Sequence, residues 1–141
     1  MPPTPARFFT LEEANAKVPN LEKQFAVIDG RLERARTLQD QVNDLEIVWG
    51  AKLLTPECPE RDDYERFRAE LASEQAGVDE TLRTIAREGI EVKDPSTGLV
   101  DFYAKRGDDI VLLCWRKGER DVGFWHTLTG GFAGRKPIQE L

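Results

Sequence analysis

Apolar residues follow a helical period over the first ninety positions of the chain and a period of two after them. From residue 20 to about 54 they recur every seven residues, with further apolar residues between, which predicts a long helix with a coiled-coil-like seam. A further helix is predicted from Pro59 to Glu88, ended by Gly89. The seam of the long helix consists of Leu21, Phe25, Ile28, Leu32, Ala35, Leu38, Val42, Leu45 and Trp49.

The first helical residue is indicated by the sequence Thr10-Leu11-Glu12-Glu13. In such a capping box the Thr10 hydroxyl accepts the Glu13 N–H, and the Glu13 carboxylate accepts the Thr10 N–H. A helix is therefore predicted to begin at Leu11. Pro19 is expected to kink or break it, because proline removes a donor and clashes with the preceding turn.

Short alternating segments after residue 90 predict four strands, at Ile90–Lys93, Leu99–Tyr103, Ile110–Trp115 and Val122–His126. The turns between them are short and contain glycine, so the strands are expected to form an antiparallel meander. The third segment is apolar throughout, which predicts a central strand covered on both faces.

The two patterns together predict an α+β fold in a single domain over residues 1–141. A long antiparallel helical hairpin would occupy residues 10–89, and a small β-meander with a glycine-rich C-terminal loop would occupy residues 90–141. A hairpin of about 50 Å is too long for the small sheet to cover. We therefore expect a homodimer through the long helices, or else a helical protein partner.

Composition excludes some partners. The formal net charge is −6, and the excess of acidic residues lies in the helical region, which argues against a nucleic acid partner. No apolar run approaches the roughly eighteen residues that a membrane span needs. The N-terminal residues lack a signal-peptide pattern, so a cytoplasmic protein is expected.

His126 is the only histidine, and an imidazole can bind a metal ion or carry a proton near neutral pH. Asp101 is its natural carboxylate partner. Symmetric turns would pair Asp101 with Leu113, and Val111 with His126. The Asp101 and His126 side chains would then share a face but lie at least about 9–10 Å apart, too far for one ion to bridge directly. A slip of one residue in the strand register would change this geometry.

A carboxylate of the capping box, Glu12 or Glu13, is the alternative metal partner of His126. A divalent metal ion is the only cofactor that the sequence suggests. The competing interpretation gives His126 a structural role, hydrogen-bonded to a carboxylate or a backbone carbonyl.

A second candidate site is an anion-binding loop formed by Gly130, Gly131, Gly134 and Arg135. Glycines allow consecutive backbone N–H groups to point at one anion, and an arginine can clamp a carboxylate or phosphate. The alternative is a tight chain reversal.

The cysteines and the sheet tryptophans are interpreted as structural. Cys58 is taken as a loop thiol and Cys114 as a small apolar strand residue. Trp115 and Trp125 are taken as sheet core. With one histidine and two cysteines, the chain cannot supply four ligands of a structural Cys/His zinc site.

Motifs along nearly the whole chain resemble those of an uncharacterised bacterial family, domain of unknown function 2203. The resemblance implies no activity, but it implies that Asp101, Glu119, His126 and Arg135 belong to the family motif. Tyr103 stands where the family pattern has proline, and Phe8 where it has tyrosine. The segments that carry the resemblance are Phe8–Asn15 with Pro19, Gly98–Phe102, Leu113–Trp115, Gly118-Glu119, Trp125-His126 and Gly131–Arg135.

The hypothesis that follows is a non-enzymatic, homodimeric binding module with a polar pocket around Asp101, Glu119, His126 and Arg135. One alternative is a metal-dependent, hydrolase-like enzyme that uses His126 and carboxylates. Another is a small-anion or nucleotide-binding module that uses the glycine-rich loop and Arg135. The single histidine favours the first hypothesis over the enzyme, but the sequence leaves open whether the protein is an enzyme.

Overall fold

The computed structural model describes Pro5 and residues 7–141. Two helices are followed by an antiparallel sheet, which confirms the predicted α+β class. The chain divides into two compact units. One unit is Val27–Glu80, and the other consists of the described residues before Val27 together with Thr81–Leu141. Neither helix has a stretch apolar enough, over sufficient length, to span a membrane.

The first helix, α1, runs over Leu11–Trp49 and continues as a 3-10 turn at Gly50–Leu54. Its predicted start is confirmed by both bonds of the capping box. Thr10 Oγ1 accepts the Glu13 N–H at 3.1 Å, and Glu13 Oε1 accepts the Thr10 N–H at 3.0 Å. The second helix, α2, runs over Arg61–Arg87.

Pro19 lies inside α1, so the prediction that the helix breaks there was wrong. An interior proline costs about 3 kcal/mol. Apolar residues on both sides of it oppose this cost, because Val18, Leu21 and Phe25 are buried. Full burial contributes roughly 1.5–3 kcal/mol for each such side chain. Tertiary packing therefore holds the two predicted segments in one helix.

Val27–Glu80 is the hairpin unit. The apolar seam of α1 faces inward here, since Ile28, Leu38 and Val42 are buried while Leu32 and Leu45 are half-buried. Polar contacts join the two helices in opposite directions: as the residue number rises along α1, that of its partner in α2 falls, as antiparallel helices require. These contacts are Arg31–Glu74 at 3.3 Å, Arg34–Glu70 at 3.0 Å and Tyr64–Glu46 at 2.9 Å.

The sheet has five strands in the order β1-β2-β3-β4-β5, with all neighbours antiparallel, which confirms the meander. The fifth strand was not predicted, since two residues are too few to show a period. Its Lys136 pairs with Trp125. The strands are β1 Ile90–Asp94, β2 Leu99–Arg106, β3 Asp109–Arg116, β4 Phe124–Thr127 and β5 Lys136–Pro137.

The two faces of the sheet differ in chemistry. Residues 111–115 of β3 are all buried, which confirms the central strand covered on both faces. One face packs against aromatic residues: Phe9 lies 5.0 Å from Phe102 and Phe25 lies 6.3 Å from Trp115, between ring centroids. The opposite face, here called the polar face, carries Asp101, Cys114 and His126.

Removal of the cap should destabilise the protein. A Thr10→Ala substitution is expected to lower the free energy of unfolding by about 1 kcal/mol, because the Glu13 N–H loses its side-chain acceptor. Urea denaturation measures this change. Thr37→Ala is the control, since this residue lies in the interior of α1, where alanine is the better helix former. Equal destabilisation by both substitutions would contradict the assigned cap.

Candidate functional site

Three strands bring a carboxylate, a thiol and an imidazole together on the polar face. Asp101 of β2 pairs with Cys114 of β3, and His126 of β4 pairs with Leu112. Cross-strand partners and alternate residues of one strand project to the same side, so these side chains share a face. Cys114, on the central strand, therefore lies between Asp101 and His126.

The imidazole and the carboxylate are in direct contact. His126 Nε2 lies 3.0 Å from Asp101 Oδ1. These residues and Cys114 each offer a ligand atom, and the three atoms all lie within 4.8 Å of one another. The side chains are buried, with exposed fractions of 2% for Asp101, 3% for His126 and 1% for Cys114. Buried oxygen, sulfur and nitrogen donors at this spacing form a potential ligand set for a transition-metal ion.

The expected separation of about 9–10 Å between the Asp101 and His126 side chains was wrong. Each predicted pairing was displaced by one residue, since Asp101 lies opposite Cys114 rather than Leu113, and His126 opposite Leu112 rather than Val111. Backbones two strands apart are indeed about 9–10 Å from each other. The two side chains nevertheless meet across β3, because both project from the polar face and extend toward each other.

The protonation of His126 follows from its two contacts. Nδ1 lies 2.7 Å from the Thr127 carbonyl oxygen, which only accepts hydrogen bonds, so this nitrogen carries a proton. Nε2 faces the Asp101 carboxyl, and a second proton is shared along that contact. The hydrogen bond to Asp101 raises the pKa of His126, although burial opposes the rise. A structural role for His126, the alternative to metal binding, predicts this type of hydrogen bond to a carboxylate or a backbone carbonyl.

A cavity of about 250 Å³ opens beside the three side chains. Leu128 and Phe132, from the loop after β4, line it together with Lys93 of β1. Lys93 Nζ donates to Glu91 Oε1 at 2.8 Å, so its charge is balanced locally. The site is thus a cavity with mostly apolar walls and three convergent polar groups, and its volume is below that of typical small-molecule sites.

Glu119 and Arg135 pair with each other rather than with Asp101 and His126. Arg135 Nη2 donates to both carboxylate oxygens of Glu119, at 2.7 and 2.8 Å. The Arg135 guanidinium lies 4.7 Å from the ring centroid of Phe132, which lines the cavity. The structure therefore separates the four predicted pocket residues into two neighbouring pairs, and Phe132 lies beside both.

The glycine-rich loop makes internal hydrogen bonds. The Gly130 N–H donates to the Thr127 carbonyl at 3.2 Å, and the Gly134 N–H donates to the Gly130 and Gly131 carbonyls, each at 3.1 Å. Gly131 has a φ of 60°, which glycine adopts without strain. These bonds are those of a tight chain reversal, and the Arg135 guanidinium next to the loop is already paired with Glu119.

Glu13 is not among the residues that converge on the cavity. Its carboxylate accepts from the Thr10 N–H and, at 2.9 Å, from Arg7 Nη2. The backbone hydrogen bond from Thr10 is the main cause that lowers the pKa of Glu13. Its chemistry is therefore that of a helix cap and a surface ion pair.

Cys114 is the site residue that the sequence reasoning missed. The sequence favours a small apolar strand residue at this position, because it has no CxxC motif and no partner histidine nearby. The signal that would have found it is the turn between β2 and β3, in which Arg106 pairs with Asp109 around two residues. Counting back from this pair places Cys114 opposite Asp101.

The fold and the site define an α+β protein with a helical hairpin and a buried Asp–Cys–His cluster on its sheet. The chain belongs to the family described as uncharacterized conserved protein (DUF2203), whose model matches residues 7–138. The resemblance noted in the sequence is thereby confirmed. Searches of curated proteins and of solved structures find no match to the chain.

The buried pair should make stability depend on pH. The pKa of His126 is raised above 6.5 in the folded protein. Protonated His126 therefore stabilises the fold fully at pH values below its pKa in the unfolded chain. This stabilisation is lost as the pH rises through the pKa of His126 in the folded protein. The free energy of unfolding of metal-free protein is therefore expected to fall over this interval, as urea titrations at a series of pH values would measure. His126→Gln should remove this dependence, and an unchanged dependence would contradict the pairing.

Proposed function

We propose that the chain is a binding module that holds a divalent transition-metal ion of the zinc class on the polar face. The ligands would be the Asp101 carboxylate, the Cys114 thiolate and His126 Nε2. The observation that carries the proposal is the convergence of these three buried donors within 4.8 Å. A metal ion would replace the proton between His126 and Asp101.

The spacing of the three atoms supports this ligand set. Ligand atoms around a tetrahedral zinc ion, at about 2.0–2.3 Å from the metal, lie about 3.5 Å from one another. The contact of 3.0 Å between His126 Nε2 and Asp101 Oδ1 is already close to that value. Small movements of the side chains would complete the geometry without a change in the strands.

The surroundings of His126 and Cys114 also suit a metal site. Histidines that bind metals usually donate their other ring N–H to a carbonyl or carboxylate, as His126 Nδ1 does to Thr127. Burial raises the pKa of Cys114 to about 12, so the thiol must lose a proton to bind. Metal binding is therefore expected to release protons and to weaken at low pH.

Three protein ligands leave a fourth coordination position for water or another small ligand, as in catalytic zinc sites. The hydrolase-like alternative would use this position, but we propose metal binding and no reaction. Both cysteines are free thiols. A reducing cytoplasm keeps cysteines in this state, and we propose that the protein is cytoplasmic.

Zinc binding to chelator-treated protein tests the proposal. Calorimetry is expected to show one ion per chain with release of about two protons, one from Cys114 and one from the His126–Asp101 pair. Cobalt(II) should give a thiolate charge-transfer absorption. Cys114→Ser and His126→Ala are each expected to weaken zinc binding by at least about a hundredfold, because each removes one of three ligands.

Cys58→Ser is the matched control, since Cys58 is the other buried cysteine and lies in the hairpin unit. It should bind zinc as the parent does. Circular dichroism of the metal-free variants separates loss of a ligand from loss of the fold. Parent-like affinity in a folded Cys114→Ser protein would reject the metal site.

We also propose that the hairpin unit mediates a homodimer. Four large apolar side chains of this unit are exposed, and the three that lie within eight residues of one another, Ile47, Val48 and Leu54, support a partner surface there. Of the α2 residues that face inward, Phe67 and Leu71 are only half-buried. A helix of another protein is the alternative occupant. The exposed apolar residues are Val27 at 50%, Ile47 at 82%, Val48 at 71% and Leu54 at 77%.

Light scattering after size exclusion tests the dimer. The parent is expected at twice the chain mass of 16.0 kDa. The double substitution Ile47→Glu with Leu54→Glu should shift it to the monomer, since a buried unpaired charge is costly. Ala133→Glu, at an exposed position of the C-terminal loop, is the control and should leave the mass unchanged. A parent that is monomeric at micromolar concentration would reject the homodimer.

A further inference from the structure

A second cavity, of about 390 Å³, lies around Trp125. Trp125 precedes His126 on β4, so its side chain projects to the face opposite the metal ligands. Arg106 and Asp109 line this cavity from the turn between β2 and β3, and Lys136 lines it from β5. Its volume lies within the range of roughly 300–1,000 Å³ typical of small-molecule sites.

Two cations flank the Trp125 ring. Arg106 Cζ lies 4.9 Å and Lys136 Nζ lies 5.0 Å from its centroid. The two charges therefore cannot be further apart than the sum of these distances, and they repel each other at this range. Neither cation forms an ion pair with a carboxylate in the described part of the chain. With Asp109 included, the charged side chains of the lining carry one net positive charge.

The indole nitrogen of Trp125 is a buried donor without an acceptor among the described residues. Trp115 shows the usual arrangement, because its Nε1 donates to the Glu119 carbonyl oxygen at 2.9 Å. Buried indole N–H groups normally have such a partner. The unpaired donor belongs to a side chain that lines a cavity flanked by two cations, an arrangement that an oxygen atom of a bound anion would complete.

We propose that this cavity binds a small anion that carries a carboxylate or a phosphate group. Arg106 and Lys136 neutralise its charge, and the Trp125 N–H donates to one of its oxygens. Thr127 and Thr129 also line the cavity and offer hydroxyl groups. Neither residues 130–135 nor any of the three proposed metal ligands lines this cavity, so anion binding can be measured on metal-free protein.

Nuclear magnetic resonance of the indole N–H groups tests the proposal. The chain has three tryptophans. Each indole N–H signal can be assigned from its loss in the variant that replaces that tryptophan with phenylalanine. Inorganic phosphate and acetate are titrated separately at constant ionic strength, with sodium chloride as the reference. The Trp125 signal is expected to shift in a saturable manner with at least one of them, while those of Trp49 and Trp115 stay in place.

The stronger of the two responses identifies phosphate or carboxylate as the recognised group. Absence of a saturable Trp125 shift with both anions overturns the proposal.

Variants of the two cations provide the second measurement. Arg106→Gln and Lys136→Gln should each raise the dissociation constant of the effective anion by at least about tenfold, as expected for loss of a charged hydrogen-bond donor. Lys105→Gln is the matched control, because this exposed lysine lies 4.8 Å from the Phe8 ring centroid and does not line the cavity. Its affinity should stay within about twofold of the parent. Equal affinities of all three variants would overturn the proposal.

Discussion

The register between β2 and β3 is the constraint on which the candidate metal site depends. Arg106 pairs with Asp109 around two residues, and Gly107 supplies the positive φ of 62° that such a tight turn requires. This register places Asp101 beside Cys114. A slip by one residue would turn one strand over relative to the other and would direct Asp101 into the aromatic packing of the opposite face.

Burial of Asp101 and His126 is tolerable only because their polar atoms satisfy one another. The Thr127 carbonyl accepts from the remaining ring nitrogen, so the imidazole has no unpaired nitrogen. Such pairs seldom stabilise a protein more than apolar residues of the same size would, because desolvation offsets most of the attraction. A buried ionisable cluster beside a cavity therefore supports the proposal of a metal site more than a purely stabilising role.

Strand β4 contributes side chains to both proposed sites, because its side chains alternate between the two faces of the sheet. His126 lines the cavity of the proposed metal site and Trp125 that of the proposed anion site, while Leu128, just after the strand, lines both. The adjacent cations of the C-terminal segment are divided in the same way. Arg135 pairs with Glu119 on one side, and Lys136 lies near the Trp125 ring on the other.

Local and periodic features of this protein were determined by the sequence alone. The cap at Thr10 depends on residues three positions apart, and the inward face of α1 and the meander follow from apolar periods and short turns. The continuation of α1 through Pro19, the short strand β5 and the meeting of Asp101, Cys114 and His126 were decided only by the tertiary structure. Each of these depends on packing or strand register between residues distant in sequence, and a one-residue change in register alters which side chains meet while the apolar pattern stays the same.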